Sequence, residues 1–190
     1  MRVLVAAASK YGATLEIAQA IARGVEGAGC EVEVARIDEV GDVAAFDALV
    51  LGSGVYAGRW LKSARRFVED HADEIVARPT WLFSSGPIGV PPKPDADSAV
   101  NLDEIVAKTK AREHRVFAGK LDKSVLGFAD RAIISAVRSA EGDFRDWDEI
   151  DAWAWAIAAS LRTGGTRATG VAAAAHSERD AEAAGSTVQR

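Results

Sequence analysis

The sequence predicts an α/β protein: a doubly wound, three-layer sandwich whose five-stranded parallel sheet, ordered 2-1-3-4-5, lies between two layers of helices. Three observations carry this expectation. Short apolar runs alternate with helical patterns through the first 120 residues, and right-handed crossovers then make the strands parallel within one sheet. One run, FDALVLGS (46–53), is almost continuously apolar, as suits a central strand covered on both faces. No G-x-G-x-x-G follows the first strand, which speaks against the competing Rossmann arrangement.

RVLVAA (2–7) opens the chain as a buried strand. Over 13–28, Ala18, Ile21, Ala22 and Val25 recur at helical spacing, and Gly27 and Gly29 mark the stop. CEVEVARI (30–37) alternates with period two, the pattern of a half-exposed edge strand. After the central run a helix is expected over about 61–76, then a strand in PTWLFSSG (79–86). Residues 98–112 read as a helix and HRVFAGKL (114–121) as the fifth strand. Two further helices are expected over 124–139 and 146–162, the second anchored by Trp147, Trp153 and Trp155. From Thr163 the chain has no aromatic residue and no Leu or Ile, too little apolar surface to offset the entropy of ordering. The expected organisation is one folded domain over 1–162 and a disordered tail over 163–190.

Composition narrows the function. The chain has 190 residues, 48% of them hydrophobic, enough for a sizeable core. Its net charge of −5 argues against a general nucleic-acid surface. The single cysteine, Cys30, excludes an intramolecular disulfide and a cysteine metal cluster, and suits a reducing cytoplasm. No run approaches the ~18 apolar residues of a membrane span, and the N-terminus enters a strand directly. A cytoplasmic protein is expected, with peripheral membrane contact left open. His71, His114 and His176 fall in a helix, a strand start and the tail, with no zinc spacing and no triad partner in a predicted site. The residues around Ser53 lack the G-x-S-x-G elbow of a hydrolase. The acidic run DWDEID (146–151) opens a helix, where its carboxylates suit the dipole.

In a parallel sheet the loops leaving the C-terminal strand ends share one edge, and ligands settle where the strand order reverses. Three loops therefore belong together. In SKYGAT, Ser9 to Thr14, Gly12 lets the backbone bend close to an anion while helix N-terminal amides point outward. Ser9 and Thr14 add hydroxyl donors and Lys10 adds charge; the alternative is a helix capped by its own Ser and Thr. The spacing is not that of a nucleoside-triphosphate loop. GSGVYAGRW (52–60) follows a buried strand with small residues and two aromatics. Tyr56 and Trp60 either lie against a planar ring or fold onto the next helix. SSGPIGVPPKP (84–94) is a long excursion stiffened by Pro87, Pro91, Pro92 and Pro94, of a length that is usually functional when ordered. Arg59, Lys62, Arg65 and Arg66 cluster just after the second loop. They form either a solvated helix face or a dock for an anionic partner or substrate carboxylate.

These residues resemble the flavodoxin family, whose phosphate loop follows [ST]-x-T-G-x-T. Ser9, Gly12 and Thr14 match it, and Tyr11 stands where Thr is usual. The resemblance implies a flavodoxin-like fold in which Ser9, Lys10, Tyr11, Gly12, Ala13 and Thr14 hold the phosphate of FMN. It implies that Ser53, Gly54, Val55 and Tyr56, with Ser84, Ser85, Gly86, Pro87, Ile88 and Gly89, enclose the isoalloxazine ring. A deazaflavin coenzyme could use the same loop.

A narrower resemblance, over most of 1–162, is to the menaquinone-dependent protoporphyrinogen oxidase branch. It rests on Lys10, GSGVYAGRW, FVEDH (67–71) and the extra segment GKLDKSVLGFADRAIISAVRSAEGDFRDWDEI (119–150). This implies a flavin-dependent oxidoreductase with a quinone acceptor. Its substrate would be a reduced tetrapyrrole, with Arg59, Lys62 and Arg131 at the rim to meet propionates. The other class left open is an electron-carrying module that docks on redox protein partners and has no small substrate.

Overall fold

The computed structural model describes residues 1–86, 102–127 and 141–163. In chain order the elements are β1 (Arg2–Ala8), α1 (Ala13–Glu26), β2 (Glu31–Arg36), β3 (Ala48–Tyr56), β4 (Arg59–Trp60), α2 (Lys62–Asp70), α3 (Ala72–Val76), β5 (Thr80–Ser85), α4 (Asp103–Thr109), β6 (Glu113–Phe117), β7 (Lys120–Leu121), β8 (Gly142–Asp143) and α5 (147–163). Five strands pair in parallel in the order β2-β1-β3-β5-β6. This is the expected 2-1-3-4-5 order, extended by β4, which pairs antiparallel with the end of β3.

The alternation of side chains along each strand builds two cores. From β1, Val3, Val5 and Ala7 pack with Ile17, Ile21 and Val25 of α1 and with Trp153 and Ile157 of α5. Leu4, Ala6 and Ala8 pack on the other face with Ala64, Phe67 and Val68 of α2, Ile75 of α3 and Ile105 of α4. Central strands must be apolar at every position for this to work, and β3 is buried from Ala48 through Gly54. α1 and α5 lie unusually close: a Cβ at Gly24 would stand 2.6 Å from that of Ala154. β2 lies at the sheet edge, half-exposed as its alternation predicts.

Several boundaries differ from expectation. The helix expected over 61–76 is two, broken at His71, which has φ −120° and ψ 25°. No glycine or proline announces that break. The expected 98–112 helix occupies Asp103–Thr109 among the described residues and ends where Lys110 turns left-handed, with φ 48°. The fifth strand stops at Phe117. Lys120 and Leu121 leave the main sheet and pair antiparallel with Asp143 and Gly142 instead. The helix expected over 124–139 is absent at 124–127, where Asp122 accepts from the amide and hydroxyl of Ser124; the remainder lies outside the described residues. Of the three tryptophans expected to anchor the last helix, only Trp153 is buried, edge-on to Phe83 and Phe117, while Trp147 and Trp155 are exposed. The tail beyond Thr163 lies outside the described residues.

Candidate functional site

The C-terminal ends of β1, β3 and β5 share one edge, with β1 and β3 flanking the reversal of strand order. In the first loop, Gly12 caps α1 with φ 89°, a conformation that favours glycine, and no side chain caps this end of the helix. Among the described residues, the first amide of α1 to find an acceptor is that of Leu15, which donates to Gly12 C=O at 2.9 Å. A Cβ at Gly12 would meet nothing within 4 Å. The loop thus opens outward with helix-end donors available, as an anion site requires. Ser9 and Thr14 are buried within it.

The second loop is a tight hairpin instead of an open turn. Ala57 and Gly58 both have positive φ, 50° and 72°, the pattern of a type I′ connection. Its register sets Arg59 opposite Tyr56 and Trp60 opposite Val55. Tyr56 is 40% exposed, whereas Trp60 turns inward to the α2 side of the core. Lys10 Nζ stands 5.4 Å from the ring of Tyr11 and 5.7 Å from that of Tyr56, linking the first two loops by cation–π contact. The backbones approach closely there. A Cβ at Gly54 would lie 3.2 Å from Thr14 Oγ1 and 3.3 Å from the Tyr56 ring. In the third loop, Gly86 (φ 107°) donates to Phe117 C=O at 3.0 Å and lies beside Val55.

Two expected site hydroxyls face inward. Ser53 Oγ donates to Gly54 C=O at 2.9 Å and accepts from the Leu61 amide at 3.0 Å. Ser84 Oγ accepts from Trp60 Nε1 at 2.8 Å and is bonded to His114 Nε2 at 2.9 Å. Both serines are fully buried, so their hydroxyls brace the loops from within. The Ser84–His114 contact was not foreseen, since the sequence places His114 only at a strand start. Ser84 pairs in register with Val116, and His114, two residues earlier on β6, shares its face. Ser84 is enclosed, out of reach of a substrate, so the pair does not act as a nucleophile and base. Ser85 and Gly86 are buried beside it; Pro87, Ile88, Gly89 and Arg131 lie outside the described residues. Arg59 and Lys62 are exposed, and Arg59 joins Arg65, Glu104 and Ile105 around a shallow hollow of about 170 Å³.

Sequence reading missed Arg145, whose side chain is only 2% exposed at the start of α1. Nη1 donates to Ala13 C=O at 3.2 Å and to Glu16 at 2.7 Å, while Nε and Nη2 grip Asp143 at 2.8 and 2.6 Å. The Trp147 ring lies 4.4 Å from its guanidinium. The bond from Arg145 holds the Asp143 carboxyl below its ordinary value. The sequence signal was slight: an acid and a base two residues apart, in an acidic stretch. Among the described residues, no cluster of His, Cys, Asp and Glu could hold a metal ion, and no helix is long and apolar enough to cross a membrane.

The model of the flavodoxin domain matches residues 4–148. The chain belongs to the flavodoxin domain family. The protoporphyrinogen IX dehydrogenase (quinone) of Escherichia coli K12 is 22% identical to it over 172 residues, spanning 83% of this chain and 95% of that enzyme. Among solved structures, a flavodoxin from the domain Archaea superposes with a TM-score of 0.57 at 18% identity, covering 85% of this chain and 99% of its own. The flavodoxin of Streptococcus pneumoniae TIGR4 gives 0.57 at 18% identity, covering 84% and 99%. These likenesses establish the fold. FMN is the cofactor of this flavodoxin-like family. The edge fits it, with a helix start that no side chain caps behind an unobstructed Gly12, and an exposed Tyr56 within reach of Lys10.

Proposed function

We propose that this protein is an FMN-dependent oxidoreductase that removes hydrogen from a reduced tetrapyrrole of the protoporphyrinogen IX class and delivers it to a quinone. One observation carries the reading: similarity to a quinone-dependent protoporphyrinogen IX dehydrogenase runs over 95% of that enzyme's length. The segment following β6 adds support, because its described ends reach back to the first loop. Gly127 N–H donates to the Tyr11 hydroxyl at 3.3 Å, and Arg145 holds Ala13.

In this reading Ser9 to Thr14 would hold the phosphate, and Ser53 to Tyr56 with Ser84 to Gly89 would hold the ring. Bound FMN supplies the means of accepting and returning a pair of reducing equivalents. The chain's own residues bind and orient: the α1 amides meet the phosphate, and Arg59, Lys62 and Arg131 meet propionates at the rim. Because quinones dissolve in membranes, the protein works in the cytoplasm against a membrane surface. The second reading, an electron carrier docking on redox proteins, draws on the fold shared with flavodoxins.

An anaerobic assay decides between them. Flavin-loaded protein, protoporphyrinogen IX and a soluble menaquinone analogue should give porphyrin fluorescence above the uncatalysed rate. No increase, with slow reoxidation of the reduced protein by the quinone, leaves the electron carrier. Arg59→Ala, Lys62→Ala and Arg131→Ala together should raise KM several-fold and leave flavin content unchanged, since exposed charges contribute only about 0.2–1 kcal/mol each. The mass and spectrum of flavin released on denaturation distinguish FMN from a deazaflavin.

A further inference from the structure

We propose that Arg145 is a positioning residue for the flavin phosphate, acting through the loop: it fixes the Ala13–Thr14 peptide and offsets one of the two negative charges that Glu16 and Asp143 place beside the phosphate end of α1. The inference rests on the reading that the first loop holds that phosphate.

The placement of Arg145 requires an explanation. Burying a guanidinium is costly, and apolar residues of similar volume commonly serve stability as well or better. A cation at a helix N-terminus also has the wrong sign for the helix dipole. Yet Arg145 is enclosed at the start of α1, 132 positions along the chain from Ala13, with Trp147 against its face. Its carboxylate partners, Glu16 and Asp143, are themselves half-exposed.

An arriving phosphate makes sense of this arrangement. The Ala13 carbonyl and the Thr14 amide belong to one peptide unit. A charged donor on that carbonyl polarises the unit and strengthens the Thr14 N–H as a donor, because bonds in such chains reinforce one another. It also holds the peptide plane, so the amide is already oriented. Without Arg145, the negative charge that Glu16 and Asp143 place within one side chain's reach of the loop would grow by one unit. Peptide orientation, donor strength and local charge all shift toward binding a dianion, and none of them bears on the ring.

The test compares FMN with riboflavin, which lacks the phosphate, by quenching of flavin fluorescence on apoprotein. In the wild type FMN should bind more tightly than riboflavin. Arg145→Met should weaken FMN binding about tenfold or more while leaving riboflavin within about twofold, and the ³¹P resonance of bound FMN should move. Arg145→Lys keeps the charge but cannot span Ala13, Glu16 and Asp143 at once, so it should show a smaller loss of the same kind. If Arg145→Met does not fold, Arg145→Lys carries the same comparison. A preference for FMN over riboflavin that is unchanged in the folded variants overturns the proposal, because a merely structural arginine would affect both flavins alike. Equal binding of FMN and riboflavin by the wild type would instead overturn the phosphate reading on which it rests.

Discussion

Replacing Gly52 by alanine tests the packing beneath the second loop. Gly52 on β3 pairs in register with Phe83 on β5. An added Cβ would stand 2.1, 2.2 and 2.5 Å from three atoms of the Phe83 ring. Carbon atoms prefer about 3.5–4.0 Å, so the ring must withdraw by roughly 1.5 Å. It has little room to do so. Phe83 is fully buried, and the rings of Phe117 and Trp153 stand with centroids 6.3 Å away. Overpacking costs about 1–3 kcal/mol, and a rigid ring confined by two others puts Gly52→Ala near the upper figure, ~3 kcal/mol. Urea unfolding should show a lower midpoint at constant slope. Adding Phe83→Leu makes space, so the double variant should be more stable than the sum of the single effects by more than about 1 kcal/mol. A stability within about 0.5 kcal/mol of wild type, or simple additivity of the pair, would show that the ring and the strand do not meet as described.

Gly12→Ala should lose about 1–2 kcal/mol because it forces a side chain into left-handed backbone, and Gly12→Asp should lose no more, since aspartate tolerates that region better. Only the aspartate should also cost much of the FMN affinity, and equal flavin content in the two purified variants would remove the phosphate from this loop. Ala57→Asn should stabilise the β3–β4 hairpin by roughly 0.5–1 kcal/mol, since asparagine tolerates the positive φ that Ala57 adopts; a thermal melt that does not rise would count against the turn. Asp143 is held below its ordinary value chiefly by the hydrogen bond from Arg145. Its contribution is therefore present above the unfolded carboxylate pKa of about 3.9 and is lost as pH falls through the lower folded value. Asp143→Asn should flatten that part of the acid limb, by less than ~1 kcal/mol given its partial exposure, and an unchanged pH profile would contradict the pairing.

The sheet order was legible because hydrophobic pattern determines it. The unbroken run at 46–53 marks a strand covered on both faces, and the alternation of 30–37 marks an edge. That small residues leave β1, β3 and β5 at one edge was legible too, although most of the third loop lies outside the described residues. What escaped were features set by register and distance. The His114–Ser84 bond depends on how β6 slides against β5, which no local pattern records. Arg145 reaches Ala13 from the far end of the chain. Apolar content suggested that Trp147 and Trp155 would be anchors, yet helical phase turns only Trp153 into the core. The β3–β4 hairpin was hidden because Ala-Gly lacks the asparagine or aspartate that usually signals such a turn.

The pairing of Lys120 with Asp143 and Leu121 with Gly142 joins the two ends of the segment between β7 and β8. A segment closed at its base in this way tolerates changes in the length between its two strands at little cost. Doubling the length of a closed loop costs only about 0.6 kcal/mol. The pairing thus acts as a clasp that sets both described ends of the segment beside the first loop, where Gly127 bonds Tyr11 and Arg145 bonds Ala13.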